Sequence, residues 1–284
     1  MSREPAKWRE TMDPFTLRFN DFKLKEILGY PHAGNDVFHV LVKDKSGALL
    51  RAFLKVARQK TADTAREVTV IKRLQFPFLL KILDYSLEPP RYLLTKEAKG
   101  ERLSTLVGEN SDLAPLSYME AYGELLAKIH SVKMASLPVK ARDFNLPSCF
   151  FQANDLEHVE SYLKDTIVQD TKCFIHGDCH YPNILWQENE VSCLLDFELA
   201  GHGSREYDLA WAMVLRPGQK FLKTEKERKA ILTSYGKYHD FSKQALNYYF
   251  VLFAVFFYHL SPGEENKAYR KFLLDFINDL TAAA

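Results

Sequence analysis

Residues 173–211, CFIHGDCHYPNILWQENEVSCLLDFELAGHGSREYDLAW, decide the fold of this chain. Two short apolar segments, 184–186 and 191–195, flank a polar turn. Apolar segments of this length on either side of a short polar turn are typical of two strands, so the pattern predicts a β-hairpin. A hairpin returns the chain to the end at which it started.

Three polar residues are therefore expected at one end of this hairpin. Asn183 lies just before the first strand, Asp196 lies just after the second, and Asp178 is five residues before Asn183. Two carboxylates and an amide oxygen suit a hard cation such as Mg²⁺ next to a general base. The pattern thus indicates a metal-assisted reaction.

The same stretch resembles the catalytic core of kinases, and more closely that of the small-molecule branch, the aminoglycoside phosphotransferase and choline kinase family. The matching segments are His176-Gly177-Asp178 with Asn183, Asp196-Phe197-Glu198 and Asp208-Leu209-Ala210. Protein kinases usually carry Arg and Gly at the positions of Gly177 and Glu198, which favours the small-molecule branch. The resemblance implies an α+β, protein-kinase-like fold of two lobes. A small lobe, 1–97, would hold an antiparallel sheet and one helix, and a larger, mostly helical lobe would span 98–284.

Composition narrows the class of protein. The chain has 284 residues, 46% of them hydrophobic, and a formal net charge of +1, so neither a nucleic-acid partner nor a polybasic membrane anchor is expected. The most apolar run, 248–260, is shorter than the ~20 residues that a membrane span needs. The amino terminus lacks the apolar segment of a secretory signal, and four cysteines do not form a disulfide framework. We expect a cytoplasmic monomer or homodimer with no membrane partner.

The first third of the chain predicts strands around a glycine-containing loop. Gly29 and Gly34 have the spacing of a Walker phosphate loop, but Asn35 and Asp36 replace its Lys and Ser/Thr, and a strand follows. The loop around Gly34 is therefore either a nucleotide-covering hairpin of the kinase type or an ordinary β-turn.

Lys55 is the most informative residue of this region. It lies between Leu54 and Val56 on an apolar strand, where an ammonium group requires an anionic partner. Glu67, on an amphipathic helix over 63–74, is the expected partner, and a capping box with Thr64 is its alternative role. The resemblance implies that Lys55 holds the nucleotide phosphates with Glu67 behind it. It also implies that the adenine contacts backbone groups around Glu97 and Ala98.

The remaining two thirds predict a helical region, with amphipathic helices over 117–132 and 156–167. The resemblance implies that Asp208 is a structural brace of the catalytic loop, and a helix N-cap is the alternative. The aromatic residues of 248–260 could line a box for a quaternary ammonium, but they occupy all sides of a helix, which favours core packing.

The resemblance implies an ATP- or GTP-dependent, Mg²⁺-dependent kinase acting on a hydroxyl of a small acceptor, which could be aminoglycoside-like, choline-like, or another amino alcohol or sugar. Asp178 would accept or orient the hydroxyl proton. Asn183 and Asp196 would hold Mg²⁺, and Glu198 would share a metal-bound water or contact the acceptor.

A catalytically silent nucleotide-binding protein and a protein kinase are the alternatives. Intact Lys, base and metal positions argue against the former, and the short interval from Asp196 to Asp208 argues against the latter. The candidate acids for a cationic acceptor are Asp155, Glu157, Glu160, Glu264 and Glu265.

Overall fold

A computed structural model describes residues 12–31, 35–58, 62–107, 115–134, 137–140, 142–219 and 221–282. The chain divides into two compact units. The first comprises Met1–Gly100 and Ser192–Leu199, and the second comprises Glu101–Val191 and Ala200–Ala284. Within the described residues, none of the helices has the length and apolar character required to cross a bilayer.

The first unit contains a five-stranded antiparallel sheet in the order β1-β2-β3-β5-β4 and one helix that packs against β5. Its elements are β1 (Phe22–Gly29), β2 (Asp36–Asp44), β3 (Leu49–Val56), α1 (Thr64–Arg73), β4 (Ile82–Ser86) and β5 (Tyr92–Lys96). Every second residue of β2 is buried, as expected for a strand with one face on the core. Phe38, Val40 and Val42 lie in the core of this unit.

Helix α1 begins at a different cap from the one that the sequence suggests. Asp63 is the N-cap, and its carboxylate accepts a hydrogen bond from the amide of Arg66 at 3.0 Å. The alternative of a capping box between Thr64 and Glu67 is therefore wrong, because the helix starts one residue earlier than that motif requires. The side chain of Glu67 is left to face the sheet.

The second unit is mostly helical. Its elements are β6 (Glu101–Arg102), α2 (Leu103–Val107), α3 (Leu116–His130), α4 (Ser148–Gln152), α5 (Glu157–Asp165), β7 (Lys172–Ile175), β8 (Ile184–Gln187), the start of β9 (Glu190–Leu194), β10 (Gly201–Ser204), α6 (Arg205–Met213), α7 (Glu225–Tyr235), α8 (Lys243–Leu260) and α9 (Lys267–Ala282). β6 pairs with β8 and β7 pairs with β10, both in the antiparallel direction.

The two strands of the predicted hairpin are present as β8 and β9. Glu188 and Asn189 connect them with φ angles of 51° and 68°. Two consecutive residues with positive φ are the signature of a type I′ turn, whose twist matches that of the flanking strands. The turn therefore reverses the chain within two residues.

The helices of this unit pack as their apolar patterns predict. Met119, Tyr122, Leu125, Leu126 and Ile129 are all buried on α3. α3 approaches α7 closely at Gly123, where a Cβ atom would overlap with the carbonyl oxygen of Ile231. On α8, Phe250, Phe253, Phe257 and Tyr258 are buried, which confirms core packing for these side chains.

Candidate functional site

Lys55 lies at the centre of a cluster of carboxylates in the first unit. Its strand β3 is paired on both sides, with Val37 of β2 and Leu93 of β5 opposite Lys55. Its Nζ atom lies 2.9 Å from Oε2 of Glu67, 2.8 Å from Oδ1 of Asp196 and 3.4 Å from Oε2 of Glu198. These four residues are called the Lys55 cluster below. The predicted contact between Lys55 and Glu67 is present, and two further site residues join it.

The charges of the Lys55 cluster do not balance. One ammonium faces three carboxylates, which leaves a formal excess of two negative charges. Burial alone would lower the pKa of Lys55, but the three carboxylates outweigh burial and raise it. Burial raises the pKa of Glu67 and Lys55 acts against this rise. Within the described residues, the buried Oε2 atom of Glu198 makes no hydrogen bond and has only its 3.4 Å ion-pair contact with Lys55. The chemistry of these oxygen donors suits a divalent cation such as Mg²⁺, although among the described residues no group of three or more His, Cys, Asp or Glu side chains is by itself placed to hold a metal ion.

Asp178 in the second unit is held by three donors on a single oxygen atom. Its Oδ1 accepts a hydrogen bond from Nε1 of Trp211 at 2.7 Å and lies 2.8 Å from Nη2 of Arg142 and 3.0 Å from Nδ1 of His180. Arg142 also donates through Nη1 to the carbonyl of Gly177 at 2.7 Å. Burial would raise the pKa of Asp178, but the three partners outweigh burial and hold this pKa well below its usual range. Asp178 is therefore ionised and fixed in orientation.

Asn183 is fixed to the backbone of the same loop. It ends a 3₁₀ turn, Tyr181–Asn183, and its Nδ2 donates to the carbonyl of Asp178 at 3.0 Å. Because the amide nitrogen makes this contact, the amide oxygen is available as a cation ligand.

Asp208 braces the loop that carries Asp178. Its two carboxylate oxygens accept hydrogen bonds from the backbone amides of His176 and Gly177, both at 2.9 Å. His130 contacts the same carboxylate at 3.3 Å, and all these groups are buried. The N-cap of α6 is Ser204, whose hydroxyl accepts from the amide of Tyr207. The interpretation of Asp208 as a brace is confirmed, and the N-cap alternative is wrong.

We expect Asp208→Asn to lower the free energy of unfolding by about 3 kcal/mol. The side-chain NH₂ group of Asn would face the buried backbone N–H of either His176 or Gly177, so that donor would lose its acceptor. Urea unfolding at constant m-value measures this loss. Asp279→Asn, at an exposed position of α9, is the matched control and should change little. Equal unfolding midpoints for the two variants would contradict the bracing role.

The predicted nucleotide-binding residues differ in what the structure shows of them. Gly34 lies outside the described residues. The amide of Glu97 donates to the carbonyl of Arg51 at 3.0 Å, and its carboxylate accepts from Nε of Arg51 at 2.7 Å. Glu97 Oε1 also lies 2.9 Å from Nε2 of His39. Ala98 follows directly after this fixed residue, and the nucleotide contacts of Glu97 and Ala98 stay predictions.

Two side chains that contact Asp178, those of Arg142 and Trp211, were not found from the sequence. Arg142 stacks its guanidinium 4.3 Å from the ring centre of Trp211, and Arg216 lies 4.8 Å from the same ring. Arg142 belongs to an irregular segment far from Asp178 in sequence, and no pattern pointed to it. Trp211 could have been found, because it lies three residues after Asp208 and therefore on the same side of α6.

Comparison with known proteins identifies the class of this protein. Residues 27–241 match the phosphotransferase enzyme family (APH), and the chain belongs to this family. A probable aminoglycoside 3'-phosphotransferase from Lactococcus lactis subsp. lactis (strain IL1403) is 25% identical over 212 residues, which cover 66% of this chain and 76% of that protein.

Solved structures show the same fold. A thermostable mutant of aminoglycoside phosphotransferase APH(4)-Ia, in ternary complex with ADP and hygromycin B, has a TM-score of 0.62 at 12% identity, covering 92% of this chain and 95% of that one. Choline kinase LicA from Streptococcus pneumoniae has a TM-score of 0.60 at 13% identity, covering 93% and 95%. The predicted kinase-like α+β fold is thus confirmed.

Proposed function

We propose that this protein is an ATP- and Mg²⁺-dependent phosphotransferase that moves the γ-phosphate to a hydroxyl group of a small molecule. Membership of the phosphotransferase family supports transfer to a small molecule. The Lys55 cluster is the observation that carries the proposal, because it places a buried cation of the central strand of a sheet among three carboxylates, more than its charge balances.

The roles on the nucleotide side follow from these contacts. Lys55 would bind the phosphates, with Glu67 fixing the ammonium group from behind. Asn183, Asp196 and Glu198 would hold Mg²⁺, which when bound would neutralise charge on the phosphates. The amide of Glu97 is already bonded to Arg51, so the carbonyl of Glu97 and the amide of Ala98 are the groups proposed to contact the base. The nucleotide contact of Gly34 stays a prediction.

The role on the acceptor side falls to Asp178. The described partners of its carboxylate all contact Oδ1, so Oδ2 is proposed to accept the hydrogen bond of the acceptor hydroxyl. Because the low pKa of Asp178 keeps it ionised, it orients the alcohol throughout and takes the proton as the new bond forms. Phosphoryl transfer depends more on such placement than on a strong base.

The test uses the full chain with Mg²⁺ and γ-labelled ATP against a panel of hydroxylated metabolites that includes aminoglycosides, choline, sugars and sugar acids. We expect label to move to at least one acceptor, and removal of Mg²⁺ by a chelator to stop the transfer. Thermal unfolding with Mg²⁺ and an ATP analogue should show stabilisation before any acceptor is added. A folded protein that neither gains stability from the nucleotide nor transfers label would contradict the proposal.

A further inference from the structure

The surroundings of Asp178 in the second unit are rich in arginine. Arg142 contacts its carboxylate directly, and Arg216 stacks on the ring of Trp211, which also contacts this carboxylate. Two arginines from two separate segments thus lie against Asp178 and the tryptophan that holds it.

The carboxylates of this neighbourhood already have partners. Asp178 is held by its three donors, and Asp208 is buried beneath the loop. Neither carboxylate offers excess negative charge to a cationic acceptor. The guanidinium groups have partners as well, since Arg142 pairs with Asp178 and Arg216 donates to the carbonyls of Trp211 and Val214. Whatever binds at Asp178 therefore meets a carboxylate that Arg142 already neutralises, next to the partly exposed guanidinium of Arg142 itself.

The acids suggested by the sequence do not assemble an acidic cleft in the described part of the chain. Glu160 is paired with Lys164 at 2.6 Å, and Glu264 lies 3.4 Å from Lys267. Asp155 and Glu157 are exposed. A cavity of about 480 Å³ beside Glu264 is also lined by Lys267, Arg270 and Lys271, so cations outnumber acids there as well.

The aromatic side chains near Asp178 also already have packing partners within the chain. Two guanidinium groups stack on the ring of Trp211, which is where a quaternary ammonium would gain cation–π energy. Phe144 packs at 5.0 Å against both Phe253 and Phe256. The ring of Trp211 therefore already binds cations of the chain itself, the guanidinium groups of Arg142 and Arg216.

We propose that the acceptor is an anionic alcohol, a hydroxyl compound that also carries a carboxylate or phosphate group recognised by Arg142, with Arg216 nearby on the same tryptophan ring. Guanidinium groups bind both anions through paired, charge-assisted hydrogen bonds. The side chains of Arg142 and Asp178 are 25% and 14% exposed, so solvent reaches both groups of this ion pair. The inference rests on the proposed function, since it takes the acceptor to bind at Asp178. It differs from the acceptor classes named for the similar proteins.

The indole N–H of Trp211 offers a test that does not require turnover. The chain has three tryptophans, and Trp211→Phe assigns the signal of Trp211 in tryptophan-labelled protein. Without nucleotide and at constant ionic strength, the full chain is titrated with two matched sets of alcohols. The carboxylate set is gluconate, sorbitol and glucamine, and the phosphate set is glycerol phosphate, glycerol and aminopropanediol.

We expect the anionic member of at least one set to shift the Trp211 signal saturably, with an affinity at least about tenfold above that of its cationic counterpart. The set that responds identifies the anion. Arg142→Gln should abolish this preference, and Arg142→Lys should retain part of it. Arg270→Gln is the matched control, because Arg270 also stacks on an aromatic ring, that of Tyr258 at 3.6 Å, and should leave the preference intact.

Tighter binding of the cationic alcohols, no response to any of the six compounds, or an unchanged preference in Arg142→Gln would each overturn the inference. Binding of anionic alcohols to a protein that fails to bind ATP would overturn the proposed function alone. The two failures are therefore distinguishable.

Discussion

Asp178→Asn is expected to lower kcat by about three orders of magnitude and to leave the affinity for ATP nearly unchanged. The variant loses the proton acceptor and its charge, but the side chain keeps its shape. An Asn oxygen can still accept from Trp211 and Arg142, so the loop should keep its conformation. Turnover measured with an acceptor identified in the panel, together with calorimetric titration of ATP, provides the comparison.

Asp143→Asn is the control for this substitution. Asp143 is an exposed carboxylate directly after Arg142, and it only caps a local turn at the amide of Asn145. Its variant should retain wild-type kcat. Should Asp178→Asn turn over at a rate close to that of Asp143→Asn, the assignment of the base would be wrong.

Lys55→Met should both destabilise the first unit and abolish detectable ATP binding. Removing the ammonium leaves Glu67 buried without its counter-ion, and loss of one partner of a buried pair costs about 3 kcal/mol or more. Urea unfolding measures the first effect and calorimetric titration with ATP measures the second. Lys164→Met, which breaks the exposed helix pair with Glu160, should cost less than about 1 kcal/mol.

A double variant separates these two effects. Lys55→Met with Glu67→Gln removes both charges of the pair, so it should recover part of the lost stability without recovering ATP binding. Recovery of ATP binding in the double variant would show that Lys55 serves the structure alone.

The features that the sequence predicted are those with a local or periodic signal. The strands of the hairpin follow from two apolar runs around a polar turn, and the buried face of α3 follows from its helical period. The contact between Lys55 and Glu67 was predictable because a lone cation on an apolar strand requires a partner, and few acids were within range. That Asn183 and Asp196 share a metal ion stays a prediction.

Other features had no such signal. The choice of Asp63 as the cap of α1 depends on where the helix starts by a single residue, which periodicity cannot resolve. Arg142 reaches Asp178 from an irregular segment, and contacts of this kind depend on tertiary packing alone. The sequence therefore predicted the groups proposed for the nucleotide better than the surroundings of the proposed base.

The position of Arg142 has an evolutionary consequence. Arg142, the arginine that contacts Asp178, comes from a segment between α3 and α4 that carries none of the family motifs. If Arg142 binds the acceptor as proposed, substitutions there would change which compounds the enzyme accepts while the motif residues stay identical. Homologues that share every motif can thus diverge in the metabolite that they modify, and names transferred between them by overall similarity would miss that divergence.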